Sequence, residues 1–186
     1  MIRVVRVVSY VAAAMLVVLL AAVLLGWYPV AIADGSVVTY QRWVRATRAA
    51  EHFAAVRGSH AGVDAFRPEQ RSYVVHRNTL AFLIEDRILA HAGRERIDGF
   101  EGTARERVVA ALEETRDAEY AARAVYGLSK RGYVNLVLRP QARSDLMQED
   151  VEAAGGDFIA WFEDRRKRAE VALFLVPFVW NEGELE

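Results

Sequence analysis

The sequence predicts a mainly α-helical domain with a small β-ribbon, joined by a C-terminal strand and preceded by one transmembrane helix. Three observations predict it. A charge-free apolar run fills the N-terminal region, and apolar residues recur at helical spacing through the middle of the chain. Two short β-prone runs flank an Asp-Gly pair near the start, and a β-rich run lies near the end.

The apolar run comes first. Arg3 and Arg6 are followed by no charged side chain until Asp34. A helix rises about 1.5 Å per residue, so crossing the hydrocarbon core takes about 20 apolar residues. The stretch from Val7 to Leu25 meets that length, and Trp27 and Tyr28 follow it as rings suited to a membrane–water interface. A cleaved signal peptide is the rival reading, because Ala31-Ile32-Ala33 has the small-x-small form that signal peptidase reads. The apolar stretch is longer than a signal core requires, and a cut after Ala33 would sever the first strand, so the uncleaved anchor is favoured. Residues 1–6 then form a cytoplasmic tip, 7–27 a transmembrane helix in the cell membrane, and 30–186 an extracytoplasmic domain, the orientation following from the N-terminal arginines. The absence of cysteine excludes a lipoprotein anchor and disulfides.

Composition bounds the rest. Beyond Gly26, 22 basic residues face 25 acidic ones, a formal charge of -3, so no bulk basic face is available for nucleic acid. No Gly/Ser linker, low-complexity tract or internal repeat divides the chain, which reads as one domain close to the membrane.

In order along the chain, Val30 to Thr39 gives a hairpin around Asp34-Gly35, whose backbone tolerates the positive dihedrals of a two-residue turn. Thr39 caps a helix from Tyr40 to about Val56, with Trp43, Ala46, Ala50 and Phe53 along one face. Arg57 to Phe66 carries two glycines and no period, and reads as a loop. A long helix runs from Pro68 to about Arg94. Leu80, Leu83, Ile84 and Ile88 form one stripe and Phe82 with Leu89 an adjoining one, so this helix is expected to be central. Thr103 and Glu106 fit a capping box opening a helix with Val108, Val109 and Leu112.

Tyr120, Ala121, Val125 and Leu128 mark a further helical stretch. Tyr133, Leu136, Val137, Met147 and Val151 mark another, which Pro140 is expected to kink or split. Asp157 caps a last helix bearing Phe158, Trp161 and Phe162. Val171 to Trp180 reads as a strand added to the ribbon. Its apolar edge also makes a homodimer by strand exchange an open alternative to closure within one chain.

This succession of pieces resembles a known family. Leu83-Ile84, the acidic pair Glu85-Asp86, Ile88-Leu89 and Ala92 before a short linker ending at Ile97 resemble the long helix in the N-terminal domain of SurA-like chaperones and of PrsA and PpiD foldases. Tyr133 to Met147, with its Arg-Pro step, and Phe158 to Leu175 are similar to the later helix and the returning helix and strand of that domain. The resemblance covers most of Val30 to Leu175 and lies in the order of the pieces. It implies a SurA N-terminal-domain-like helical fold. Many relatives insert a parvulin prolyl-isomerase domain, but only Ala142 to Gly156 lies at that place here, too short for a folded domain. The implied protein is a chaperone core without the isomerase.

Other chemistry is sparse. His91 and Glu95 share a helix face at i, i+4, but metal sites need three or four ligands, and the pair reads as solvated. Ser129, Ser144 and Thr103 have no nucleophile context, and no phosphate loop or zinc-protease motif is present. Glu85-Asp86, Glu113-Glu114 and Glu149-Asp150 are sequence neighbours that turn about 100° apart on a helix and read as solvated faces. No enzyme and no cofactor are expected.

The aromatic residues carry what remains. Trp43, Phe53, Phe82, Trp161 and Phe162 lie on apolar helix faces and are expected in the core. Tyr120, Tyr126 and Tyr133 lie around short polar helices, and a ring with a polar tip suits contact with many exposed chains, so these three are the peptide-binding candidates. The resemblance implies a membrane-anchored extracytoplasmic holdase whose partners are unfolded or newly translocated polypeptides and, through its anchor, the bilayer. Two other readings stay open: an envelope module with one dedicated protein partner, and a foldase with residual prolyl-isomerase activity.

Overall fold

The computed structural model describes residues 15, 17, 23, 25–61, 68–115 and 117–186. Val7 and most of the expected anchor lie outside the described residues. Among the described residues no helix is long and apolar enough to cross a membrane. The far flank of the apolar run is described: Leu25 and Trp27 are exposed, and Tyr28 stacks on Tyr40 at 5.0 Å.

The fold is mainly helical with small sheets. Strands β1 (Pro29–Ala33) and β2 (Ser36–Thr39) form the expected antiparallel hairpin, turning through Asp34 and Gly35 at φ of 44° and 73°. These paired positive angles match the right-handed twist of the flanking strands. Strand β3 (Val171–Leu173) pairs with the other edge of β1, giving the order β2-β1-β3. Within the single chain, β3 thus closes the ribbon. Asp34 fastens this return, its Oδ1 accepting from Glu170 N at 3.0 Å. Ala31 and Ala33 are fully buried in the central strand, so a cut after Ala33 would detach the strand that holds the sheet together.

The expected strand from Val171 to Trp180 is shorter than its β-rich composition suggests. Leu175 adopts a φ of 55°, and Pro177 has no N–H to give a ladder, so the chain leaves the sheet. Phe178 instead enters the core edge-on to Trp43, at 6.4 Å between rings. A second hairpin follows, with β4 (Trp180–Asn181) against β5 (Glu184–Leu185) around Glu182-Gly183, both at positive φ.

Helix α1 (Tyr40–Ala61) is capped as expected, with Arg42 N donating to Thr39 Oγ1 at 3.3 Å. It continues through residues 57–61, where a loop was expected, and the rest of that stretch lies outside the described residues. A glycine in mid-helix costs only about 1 kcal/mol, and the Arg57 guanidinium lies over the Phe53 ring one turn back, at 5.0 Å. Helix α2 (Pro68–Arg96) follows, then α3 (Phe100–Glu114). The Thr103–Glu106 capping box is not formed. Helix α3 begins four residues earlier, behind Gly99 at a φ of 71°, because Phe100 is drawn into the core; Thr103 Oγ1 donates to Gly99 O instead.

Helix α4 (Ala118–Tyr126) ends at Gly127, whose φ of 64° lets Leu128 N donate to Ala122 O. Then come α5 (Lys130–Tyr133), a π-turn (Val134–Leu138), α6 (Arg139–Ala153) and α7 (Phe158–Arg168). Pro140 does not split this helix, since Leu138 and Arg139 keep helical dihedrals. Pro140 lacks a donor, and in an α-helix its ring would meet the Leu136 carbonyl. The π-turn just before it, with Arg139 N donating to Val134 O, widens the backbone there and absorbs both defects. Asp157 caps α7 as expected, accepting from Ala160 N at 3.0 Å.

Helix α2 is central, packing against α1, α3, α6, α7 and the ribbon. Its stripe of Leu80, Leu83, Ile84 and Ile88 shares a core with the ribbon, Trp43, Leu128, Leu136 and Phe178. Leu89, on the adjoining face, shares another with Phe100, Val108, Leu146 and Met147. Of the aromatic residues expected in the core, Trp43 is buried while Phe53, Trp161 and Phe162 are half-buried. Phe82 is not core: it is 42% exposed, because no described element covers that side of α2.

Candidate functional site

The uncovered side of α2 is one wall of an apolar groove of about 520 Å³. Ala46, Ala49 and Ala50 on α1 form its floor, since small side chains at helical spacing let little fill the space between α1 and α2. Phe82 and Val75 rise from α2, Leu136 and Val137 from the π-turn, and Phe53 and Tyr126 close one end. Phe53 and Tyr126 stack at 5.2 Å with an interplanar angle of 6°. Asn78 and Thr79 are the polar residues of the lining, and Thr79 already donates to Val75 O at 2.6 Å. The groove therefore offers apolar and aromatic surface with little hydrogen-bonding capacity of its own.

The three candidate tyrosines are not brought together. Tyr126 lines the groove, and Tyr133 packs against Tyr126 at 5.5 Å between rings without lining it. Burial and the neighbouring Tyr126 phenol push the Tyr133 hydroxyl above its ordinary value of 10.0. Tyr120 stands away on α4, 74% exposed. Phe82 was the residue misassigned by its spacing: the stripe it shares with Leu89 is buried at one end and open at the other. Its pairing with a run of alanines across α1 is the signal that the sequence carried.

The groove walls are fastened by a buried charge cluster. Asp86, expected on a solvated face, has a side chain only 1% exposed and accepts from Arg143 of α6 at 2.8 Å and Arg42 of α1 at 3.2 Å. It sits three residues beyond Leu83 and so shares the buried face of α2. A carboxylate is tolerated there because two guanidiniums replace its water. Arg143 also reaches Glu101 of α3 at 2.8 Å. Burial alone would lower the pKa of Arg143, but Asp86 and Glu101 more than offset it and raise it. Burial, and then the charge of Arg87, bring Arg42 down to about 10. The cluster ties α1, α2, α3 and α6 together, and every member is engaged in holding helices.

The other acidic pairs differ from one another. Glu113 and Glu114 are exposed, as expected of a solvated face. Glu149 and Asp150 instead bridge to neighbouring helices, through Arg107 at 2.5 Å and Arg96 at 2.7 Å. His91 and Glu95 form a pair at 3.1 Å, and among the described residues no group of three or more His, Cys, Asp or Glu is placed to hold a metal ion. Ser129 caps α5, accepting from Gly132 N at 3.2 Å.

No protein-family model, no curated protein and no solved structure matches this chain.

Proposed function

We propose that this chain is a membrane-anchored extracytoplasmic holdase, a SurA N-terminal-like chaperone core that binds unfolded or newly translocated polypeptides without nucleotide and without an isomerase domain. The observation that carries the reading is the open apolar groove between α1, α2 and the π-turn, edged by Phe82 and Tyr126. Its volume suits one or two large apolar side chains, which are what an unfolded chain presents and a folded one conceals. Binding through so few anchors is weak and reversible, and a membrane anchor would compensate by keeping the groove concentrated where chains emerge. Release needs no energy source: a client that folds withdraws its apolar side chains, and the equilibrium follows by mass action.

The test is suppression of client aggregation by the full chain in lipid nanodiscs, with empty nanodiscs as the control. Suppression at near-stoichiometric amounts, reduced by Phe82→Ser, is the expected result. Full-strength aggregation beside a folded chain would overturn the holdase reading and favour a module with one dedicated partner. A prolyl-isomerisation rate equal to the uncatalysed one is expected in the same preparation.

A further inference from the structure

On the other side of Leu136 from the groove, α1 and the segment from Gly127 to Arg139 enclose a second cleft of about 1040 Å³. Arg42, Arg45, Arg131 and Arg139 line it, with Thr39, Ser129 and Asn135 as neutral polar neighbours and no carboxylate in the lining. This local charge is not a bulk property, because the chain beyond Gly26 carries more acidic than basic residues.

The convergence has a local cause. Arg42 and Arg45 are three residues apart on α1 and share a face. Arg131 and Arg139 are eight apart, and in a regular α-helix they would point about 80° from each other. The π-turn between them absorbs one residue. The pair then behaves as if seven apart and comes to within about 20° of a common face. The same π-turn that accommodates Pro140 thus aims both arginines across the cleft toward α1.

The four guanidiniums are short of counter-charge. Arg42 has Asp86, but Asp86 is shared with Arg143. Among the described residues no ion pair or hydrogen bond engages the side chain of Arg45, Arg131 or Arg139. The Arg42 pKa is lowered by burial and also by the charges of Arg87, Arg143 and Arg139, so like charges crowd one another here. The backbone donors at the start of α1 are already taken: Tyr40 N by Tyr28 O, Gln41 N by Gly26 O and Arg42 N by Thr39 Oγ1. Recognition in this cleft therefore falls to the guanidiniums.

We propose that this cleft binds a phosphoryl group, held by Arg45, Arg131 and Arg139. Several guanidinium forks offer more charge and more donors than a single carboxylate can accept, whereas a phosphate monoester brings about two negative charges and three acceptor oxygens. The cleft is larger than inorganic phosphate alone and leaves room for an organic body. Gln41, which lines the cleft, is bonded through its N–H to Gly26, at the end of the apolar N-terminal run. The phosphoryl group can thus come from a lipid headgroup or from a soluble phosphate, and the chemistry of capture is the same.

The test uses the full chain in a neutral detergent, with equilibrium dialysis of inorganic phosphate and of short-chain phosphatidic acid. Saturable binding is expected, weakened at least about tenfold by Arg45→Ala with Arg131→Ala, and unchanged by Arg105→Ala at an exposed position of α3. Tighter binding of phosphatidic acid identifies a headgroup, and equal binding identifies a soluble phosphate; both uphold the site. No saturable binding of either probe overturns it, as does binding that survives the double substitution. Melting of the unliganded variant checks the fold, and if it is lost, Arg139→Gln alone must weaken phosphate binding for the proposal to stand.

Discussion

The ring of Phe100 occupies the space that a side chain at Gly93 would need: a Cβ placed on Gly93 would lie 2.4 Å from two of its ring carbons. The contact joins α2 to α3 and explains why α3 starts at Phe100. Gly93→Ala would gain helix propensity but force the buried ring to move, and strain of that kind costs about 1–3 kcal/mol. The expected outcome is a lower urea midpoint with an unchanged slope. A midpoint equal to that of the parent chain would mean that Phe100 can shift at no cost.

Asp86 is the single carboxylate between Arg143 and Arg42. Replacing it with Asn leaves two partly buried guanidiniums without their shared partner, at an expected cost of about 3–5 kcal/mol in denaturant unfolding. Combining Asp86→Asn with Arg143→Met should cost less than the sum of the two single changes. Strict additivity in that cycle would show that the two groups do not interact.

Glu149 is held below its ordinary value of 4.5, chiefly by its hydrogen bond with Arg107. A carboxylate whose pKa is depressed by folding contributes stability that is present above 4.5 and lost as the pH falls through its folded value. The pair is on the surface, so the contribution is small. Glu149→Gln should therefore flatten the acid limb of the stability profile slightly and leave neutral pH nearly unaffected. Thermal melts of both proteins from pH 3 to pH 7 check this, and parallel curves would argue against the pair.

Phe82 and Tyr120 separate the groove from generic aromatic exposure. Both rings are open to solvent, but Phe82 lines the groove and Tyr120 does not. Phe82→Ser is expected to reduce client capture severalfold with a stability change of roughly 1 kcal/mol or less, and Tyr120→Ser to change neither. Equal loss from both, measured by client cross-linking, would place capture outside the groove.

Much of the fold was legible because it is written in neighbouring residues. Asp34-Gly35 sets a turn, Thr39 and Asp157 cap helices, and Leu80, Leu83, Ile84 and Ile88 mark a buried stripe. Each of these depends on chemistry within about one turn of chain. The errors arose where a distant partner outweighed a local preference. Phe100 overrode the Thr103–Glu106 box, the burial of Phe178 beyond Pro177 ended a β-rich run early, and the π-turn kept the helix continuous into Pro140.

The sequence by itself determined the helical class, the hairpin with its returning strand, and the exclusion of disulfides. Only the tertiary structure decided which apolar and charged residues are spare. Phe82 belongs to a stripe that reads as core, yet it is open because no described element packs over it. Asp86 belongs to an acidic pair that reads as surface, yet it is buried because Arg42 and Arg143 reach it from other helices. Arg131 and Arg139 face one cleft because a π-turn changes their phase. Periodicity records which face a residue takes on its own helix, whereas exposure and pairing depend on what other helices bring to that face.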